Sequence, residues 1–501
     1  MRFNFFTNSF EKTNENHNKI AVRGSDGDLS WLELQSKVNS IEMVLKDINI
    51  PKGHPVLLYG HKEKMYPVWI LALMKNDIPY VPLDSIYPWE RIEGIAKETE
   101  SQLLVNLSSH NVELAIACIV DSNLKVSYKN ELDFTNRTYG KAENPLRYIL
   151  YTSGSTGKPK GVMIAKEAVL SFITWIEEEY DFVESDVFMN QSLFTFDVSL
   201  YDTLSAFHLG ASIFLADREL TGDAPKFFEE IKKYACTIWT STPSFVYIFL
   251  RQEGFNSTNL PSIRTFLFAG EPIPSRTIDL LDNQFSNRTF WNAYGPTEAT
   301  ITTTLVQLTP SLIQKYGDVP IGYPKNTSEI LIENESNDPS LLGEMILIGK
   351  HVAEGYFKRP ELSKLKFTSI NGKKAFRTGD LGFYKDGLIF FRGRNDDQIK
   401  MHGYRIELGE IASRISELPY VDEAVCIALK KNGEVKKLVA FAILRKEASV
   451  DDLRHRATKD LDGKLPSYMM PGDVRAIIEW PINANHKIDK LALEKIYLKR
   501  N

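Results

Sequence analysis

The stretch YILYTSGSTGKPKGVMI, residues 148–164, decides how the rest of the chain is read. Two apolar, β-branched segments flank residues 152–160, which consist only of Thr, Ser, Gly, Lys and Pro. Nothing in those residues builds a core. A Gly/Ser/Thr cluster between periodic segments reads as a surface connection. The alternative is an anion cradle, in which backbone N–H groups, hydroxyls and the ammonium groups of Lys158 and Lys160 surround a phosphate chain. The spacing excludes a Walker loop, which needs four residues between its glycines and a Ser or Thr after the lysine. Here Ser155 and Thr156 alone separate Gly154 from Gly157, and Pro159 follows Lys158. Proline removes an amide donor and holds φ, so the loop is free at its glycines and stiff at its exit.

The chain has 501 residues, and at roughly 100–200 residues per domain that predicts two to four units. It is 43% hydrophobic and 25% charged, the balance of an ordinary globular protein. A net charge of −5 with no basic block argues against a nucleic-acid partner. The run MYPVWILALM, residues 65–74, is about half a membrane span. It predicts a core helix or strand and no membrane insertion. The first residues, MRFNFFTNSFEKTNENHN, lack the apolar segment of a signal peptide. Cys118, Cys236 and Cys426 are far apart and odd in number, which suits a reducing cytoplasm and gives no metal or disulfide pattern. The expectation is a cytoplasmic protein.

Apolar runs such as HPVLLYG, IPYVPLD, SQLLVNL, AIACIVD and ASIFLAD alternate with longer mixed segments. That is the rhythm of α/β layers with buried strands. After about Tyr323 the pattern becomes short strands with Gly turns, a small β-rich lobe. Beyond Gly403 it changes again. Leu408, Ile411, Ile415 and Leu418 share one helical face, and residues 424–444 read as a hairpin turning at Asn432-Gly433. A helix from about Asp451 and a strand near VRAIIEW complete an α+β unit of about 100 residues, long enough to fold alone. The joint falls in GRNDDQ, residues 393–398.

Taken together, the motifs resemble those of the adenylate-forming enzymes, which include acyl-CoA ligases, luciferases and peptide-synthetase adenylation domains. YTSGSTGKPKG resembles their phosphate loop. FDVS (196–199), FAGEPIP (268–274), NAYGPTEAT (292–300), GEMILIGKHVAEGYFKRPE (343–361), FRTGDLG (376–382), GRNDDQIKMHGYRIELGEI (393–411) and NHKIDK (485–490) follow in family order. The resemblance implies an α/β fold: a large multi-lobed N-terminal domain of sheets flanked by helices, residues 1–395, and a small mobile α+β C-terminal domain, residues 396–501. An active site would lie between them.

The reaction so implied joins a carboxylate to the α-phosphate of ATP and expels pyrophosphate. By the resemblance, Thr152, Ser153, Gly154, Ser155, Thr156, Gly157, Lys158 and Lys160 hold the phosphates, where fixed donors offset the approach of two anions. Thr152 is also counted among the catalytic residues. Glu298 resembles the Mg2+-associated carboxylate. Tyr294 resembles the residue that stacks on adenine, and Asn292 with the Gly270-Glu271 backbone would line the base. Asp380 resembles the acid that accepts the ribose hydroxyls, with Arg394 near the ribose or phosphate. Ala293, Gly295, Pro296, Thr297, Phe391, Arg392 and Gly393 belong to the same ATP-binding motifs. Lys487 resembles the lysine that meets both the substrate carboxylate and the α-phosphate as charge builds. His486 and Ala484 stand there where the family usually has Gly and Pro. Asp396 matches the hinge about which the small domain rotates for the second step, attack of a thiol.

Asp197 matches the acid that pairs with a substrate ammonium, which argues for an α-amino acid, since a buried carboxylate contributes most when paired. Val198, Tyr201, Thr240, Leu267, Ala269, Ala293, Ile301, Thr302 and Lys487 match the remaining pocket positions. Apart from Lys487 they show no second charge, which disfavours a charged substrate side chain. Within the family the likeness is to stand-alone ligases that load D-alanine or a similar small amino acid onto a carrier protein. Ala269 departs from them, since Cys is expected there. The implied acceptor is the phosphopantetheine thiol of a separate carrier protein, and the implied state is a monomer. The alternative reading is an acyl- or aryl-CoA ligase using free coenzyme A.

Overall fold

The structure is a computed structural model that describes residues 18–135, 137–154, 159–431, 434–445, 448–482 and 488–499. The chain divides into two compact units. The first comprises Met1–Ser85, Ala96–Tyr151 and Gly161–Asn395, and the second Ile86–Ile95, Thr152–Lys160 and Asp396–Asn501.

Among the described residues, the first unit is built on three sheets. A nine-stranded sheet runs in the order Tyr323–Pro324, Thr304–Leu308, Thr289–Tyr294, Thr265–Ala269, Ile238–Ser241, Val187–Asn190, Ser212–Leu215, Ile20–Gly24, Gly27–Ser30. Its central pairs are parallel. Strands such as Thr265–Ala269, TFLFA, are buried at every position, as expected of parallel strands covered on both faces. Ile238, Leu267, Ala269 and Ala293 face one core with Tyr201, Leu204 and Phe207. Trp239, Phe266, Phe268 and Phe290 face the other. A seven-stranded sheet contains Val56–Gly60, Tyr80–Asp84 and Leu146–Thr152 among its parallel strands. The β-rich lobe expected after Tyr323 is a five-stranded sheet spanning strands from Ser328–Glu333 to Leu388–Arg394.

The apolar run at 65–74 forms the helix Met65–Lys75, with every residue from Met65 to Met74 buried. A helix apolar all round belongs in a core. Among the described residues no helix is long and apolar enough to cross a membrane. Helix Val198–Leu209 packs on the nine-stranded sheet. It ends at Gly210, whose φ of 71° suits the left-handed cap that glycine adopts without strain.

In the second unit, Leu408, Ile411, Ile415 and Leu418 pack with Cys426, Ala440, Leu461 and Met469. The expected hairpin strands are Val421–Lys431 and Glu434–Leu444, paired antiparallel. Its turn residues, Asn432 and Gly433, lie outside the described residues. The helix expected from Asp451 begins at Leu453, and the strand near VRAIIEW is Asp473–Ala476, parallel to Glu434–Leu444. All three cysteines are buried and unbridged.

Candidate active site

Register places the sequence-derived pocket residues side by side. Asn190 pairs with Thr240, Thr240 with Leu267, and Leu267 with Trp291, one row across the parallel strands. Two residues further, Ala269 pairs with Ala293 and shares that face, since side chains repeat every second residue. The rows lie toward the carboxyl ends of the strands, where open α/β sheets bind ligands. Asp197, 8% exposed, immediately precedes helix Val198–Leu209. Tyr201, on that helix, shares a hydrogen bond between phenols with Tyr180 and meets Phe172 edge-on at 5.1 Å. Tyr180 in turn meets Trp175 and Trp291.

Two charged groups here escaped the sequence reading. Lys325 is fully buried and donates to the Thr302 carbonyl at 3.1 Å, with its ammonium over Trp175 at 5.5 Å. Burial pushes it down to about 7. The pocket pattern showed no second charge because Lys325 lies outside its positions. Asp202, one turn after Val198, is wholly buried and pushed up by burial to about 8. Its position within the apolar-looking helix VSLYDTLSAFHL was the available signal.

The nucleotide-motif residues of the first unit also converge. Asn292, Ala293 and Tyr294 end the strand Thr289–Tyr294, and the Asn292 amide donates to the Pro320 carbonyl at 2.8 Å. The Tyr294 hydroxyl donates to Asp380 Oδ2. Burial, then the Asp380 carboxylate, keep its phenol proton bound. Arg394 donates to the other Asp380 oxygen and, at 2.9 Å, to the Thr378 carbonyl. Asp380 is thereby oriented at both oxygens. Phe391 stands 6.4 Å from Tyr294, ring to ring. Arg392 instead turns to Asp318 and Phe383, and Gly393, with φ of 100°, separates the two arginines. Gly270 also has positive φ, 92°, and Glu271 accepts from the Ser244 amide at 3.1 Å.

Gly295, Pro296 and Thr297 lead into a short 3-10 turn, Thr297–Ala299, that buries Glu298 completely. Glu298 Oε1 accepts from the Tyr356 hydroxyl at 2.7 Å. Tyr356 lies within a quoted motif, yet only the fold brings it to the carboxylate. Thr300 and Ile301 follow with φ of 54° and 69°, strained for β-branched residues. The bend is tied by the Thr300 hydroxyl to the His351 carbonyl at 2.7 Å.

In the second unit, Thr152 Oγ1 is buried without a hydrogen-bond partner among the described residues. The Ser153 hydroxyl donates to the Arg405 carbonyl at 2.9 Å, and the Gly154 amide to Glu410 Oε2 at 3.2 Å. Lys160 lies 3.6 Å from Glu407. The Gly154 amide and the Lys160 ammonium thus face carboxylates, as donors of an anion-binding loop would. Asp396 Oδ1 accepts from the Gln398 amide at 3.2 Å. Ser155, Thr156, Gly157, Lys158 and Lys487 lie outside the described residues.

Residues 10–357 match the AMP-binding enzyme family, and residues 410–487 match the AMP-binding enzyme C-terminal domain. The chain belongs to the AMP-binding enzyme family. As a member, it is an ATP-dependent ligase that forms AMP. A D-alanine–D-alanyl carrier protein ligase of Bacillus cereus (strain G9842) is 31% identical over 493 residues, 96% of each chain. The protein of that name from Bacillus licheniformis is 34% identical over 484 residues, 95% of this chain and 96% of its own. Among solved structures, the Vibrio cholerae adenylation domain AlmE, in complex with glycyl-adenosine-5'-phosphate, has a TM-score of 0.83 and 21% identity, covering 100% of this chain and 98% of its own. IdnL1 has a TM-score of 0.82 and 22% identity, covering 95% and 98%. At those identities the two structures establish the shared adenylation-enzyme fold.

Proposed function

We propose that this enzyme of the AMP-binding family activates a small amino acid, D-alanine or a similar one, as its adenylate and passes it to the phosphopantetheine thiol of a carrier protein. One observation carries the reading: a buried carboxylate, Asp197, immediately precedes a helix whose Tyr201 and Leu204 share a core with Ala269 and Ala293, short side chains on the same sheet face as Thr240. A buried acid is well placed to pair with a substrate ammonium, and the Tyr180, Tyr201 and Trp291 rings keep the side-chain space small. The names of the curated relatives support the same substrate class and acceptor.

In the first step a substrate carboxylate oxygen bonds to the α-phosphorus as the bond to pyrophosphate breaks. In the second, the thiol sulfur bonds to the acyl carbon, loses its proton, and AMP leaves. Tyr294, Asn292 and Gly270 would hold the base, and Asp380, oriented by Arg394 and Tyr294, would accept from the ribose. Thr152, Ser153, Gly154, Ser155, Thr156, Gly157, Lys158 and Lys160 would hold the phosphates, and Lys487 would offset the charge at the α-phosphate. The buried, hard oxygen of Glu298 fits Mg2+, which commonly takes one carboxylate plus substrate phosphates. When bound, the ion would supply charge neutralisation for the departing pyrophosphate. Asp396 would serve as the hinge joining residues 1–395 to 396–501. The protein would work as a cytoplasmic monomer.

Amino-acid-dependent exchange of labelled pyrophosphate into ATP, over a panel of D- and L-amino acids, tests the reading. Exchange with a small amino acid is expected. Exchange only with fatty or aryl acids would move the assignment to an acyl- or aryl-CoA ligase.

A further inference from the structure

Lys62 is a lysine with almost no access to water: it is 3% exposed. It follows the strand Val56–Gly60 of the seven-stranded sheet, yet its ammonium is bonded to the nine-stranded sheet. It donates to Asn190 Oδ1 and, at 2.5 Å, to the Ser192 carbonyl, and it lies over the Phe194 ring at 4.4 Å. No nucleotide or pocket motif includes it.

Asn190 is fully buried and in register with Thr240 and Leu267, at the end of the pocket row. Its amide has an accepting end and a donating end of nearly the same shape. An ammonium at Oδ1 selects one orientation, because a flip would set donors against donors. The selected orientation sends Nδ2 to the Ser199 carbonyl at 2.9 Å and to Asp202 Oδ2 at 3.1 Å. Ser199 also bonds back to the Phe196 carbonyl, through its hydroxyl at 2.7 Å and its amide. Residues 196–199 are thereby tied in place, with Asp197 among them. Asp202 also faces the Thr240 hydroxyl, and the Lys62 charge favours its ionised form.

We propose that Lys62 is a positioning residue for substrate recognition: by orienting the Asn190 amide it fixes the first turn of helix Val198–Leu209 and the place of Asp197. This rests on the amino-acid reading given above. A lysine that only joined two sheets would, when lost, lower stability and weaken both substrates alike. A positioning residue acts on one substrate.

The test uses the full chain in the exchange assay with its preferred amino acid. In Lys62→Met the apolar side chain keeps the length and loses the donor. Its KM for the amino acid should rise roughly ten- to hundredfold, the range for losing a hydrogen bond from a charged group, while KM for ATP changes less than about threefold. Lys62→Gln, which keeps a donor, should fall between wild type and Lys62→Met. In an Asp202→Asn background the same substitution should cost less, since the chain Lys62–Asn190–Asp202 is already altered at its far end, and the two changes should be non-additive by about fivefold or more. Unchanged amino-acid KM in folded Lys62→Met, an equal rise in both KM values, additive effects with Asp202→Asn, or failure of both Lys62 variants to fold would each overturn the proposal. Wild-type exchange with no amino acid at all would instead remove the reading beneath it.

Discussion

If Asp197 pairs with the substrate ammonium as proposed, replacing it with Asn removes that charge while keeping the size of the side chain. The amide matches the carboxylate in volume, so the core around helix Val198–Leu209 keeps its packing. Asp197 is 8% exposed, and little water reaches it to substitute for a lost partner. Breaking a buried, charge-assisted contact at such a site costs about 3 kcal/mol. At 1.36 kcal/mol per factor of ten, kcat/KM for the amino acid falls roughly 150-fold. The measurement is pyrophosphate exchange at saturating ATP with varied amino acid, beside an equilibrium titration of ATP. The fall should appear in the amino acid dependence, and ATP affinity should hold. A loss below about threefold would refute Asp197 as the ammonium partner. An equal loss of ATP affinity would show a general disturbance of the site instead.

Lys487→Ala should lower adenylate formation by about a hundredfold or more, while transfer from supplied adenylate to the thiol stays within a few-fold. Equal loss of both half-reactions would count against a lysine used in the first step alone. In Gly295→Ala the new Cβ would stand 2.5 Å from Thr302 Cα and 2.9 Å from Thr303 N. Backbone must shift, so thermal unfolding should show about 1–3 kcal/mol of lost stability, with weaker ATP binding; an unshifted melting curve would deny the close approach. His54 is held neutral, its Nδ1 near the Arg137 carbonyl at 2.8 Å and its Nε2 accepting from the Gln102 amide at 3.0 Å, and burial pushes it down to about 4. The unfolded chain binds the proton first, from its ordinary value of about 6.5. Stability is therefore present above that value and lost as pH falls toward 4, by about 2 kcal/mol between pH 7 and 5. Melting temperatures across that window should fall in wild type and fall less in His54→Gln.

The run at 65–74 was legible only as a core element, helix or strand, because it is apolar all round. The hairpin strands Val421–Lys431 and Glu434–Leu444 and the helix face of Leu408, Ile411 and Ile415 were legible in the chain. Each rests on short-range pattern: a period of 3.6 or 2 residues that an element must obey to bury one side. The family was legible too, because its motifs lie in short contiguous runs in a set order. The loop at 152–160 left two readings open on composition, and the motifs downstream chose between them.

Partners distant in the chain were not legible. Tyr294 and Asp380 lie 86 residues apart, and Lys62 and Asn190 lie 128 apart. Nothing in YGHKEKM marks its first lysine for a buried ammonium and its second for solvent-side contacts. Lys325 and Asp202 hid for the same reason, since a charged residue near apolar neighbours reads as a surface residue. The sequence by itself determined the elements, the family and the residue types brought to the site, because local period and contiguous motifs are properties of the chain. Only the tertiary structure decided the row Asn190–Thr240–Leu267–Trp291 and the buried charges beside it. Register and burial depend on which surfaces meet, and a group taken out of water must find its partner wherever the packing places one.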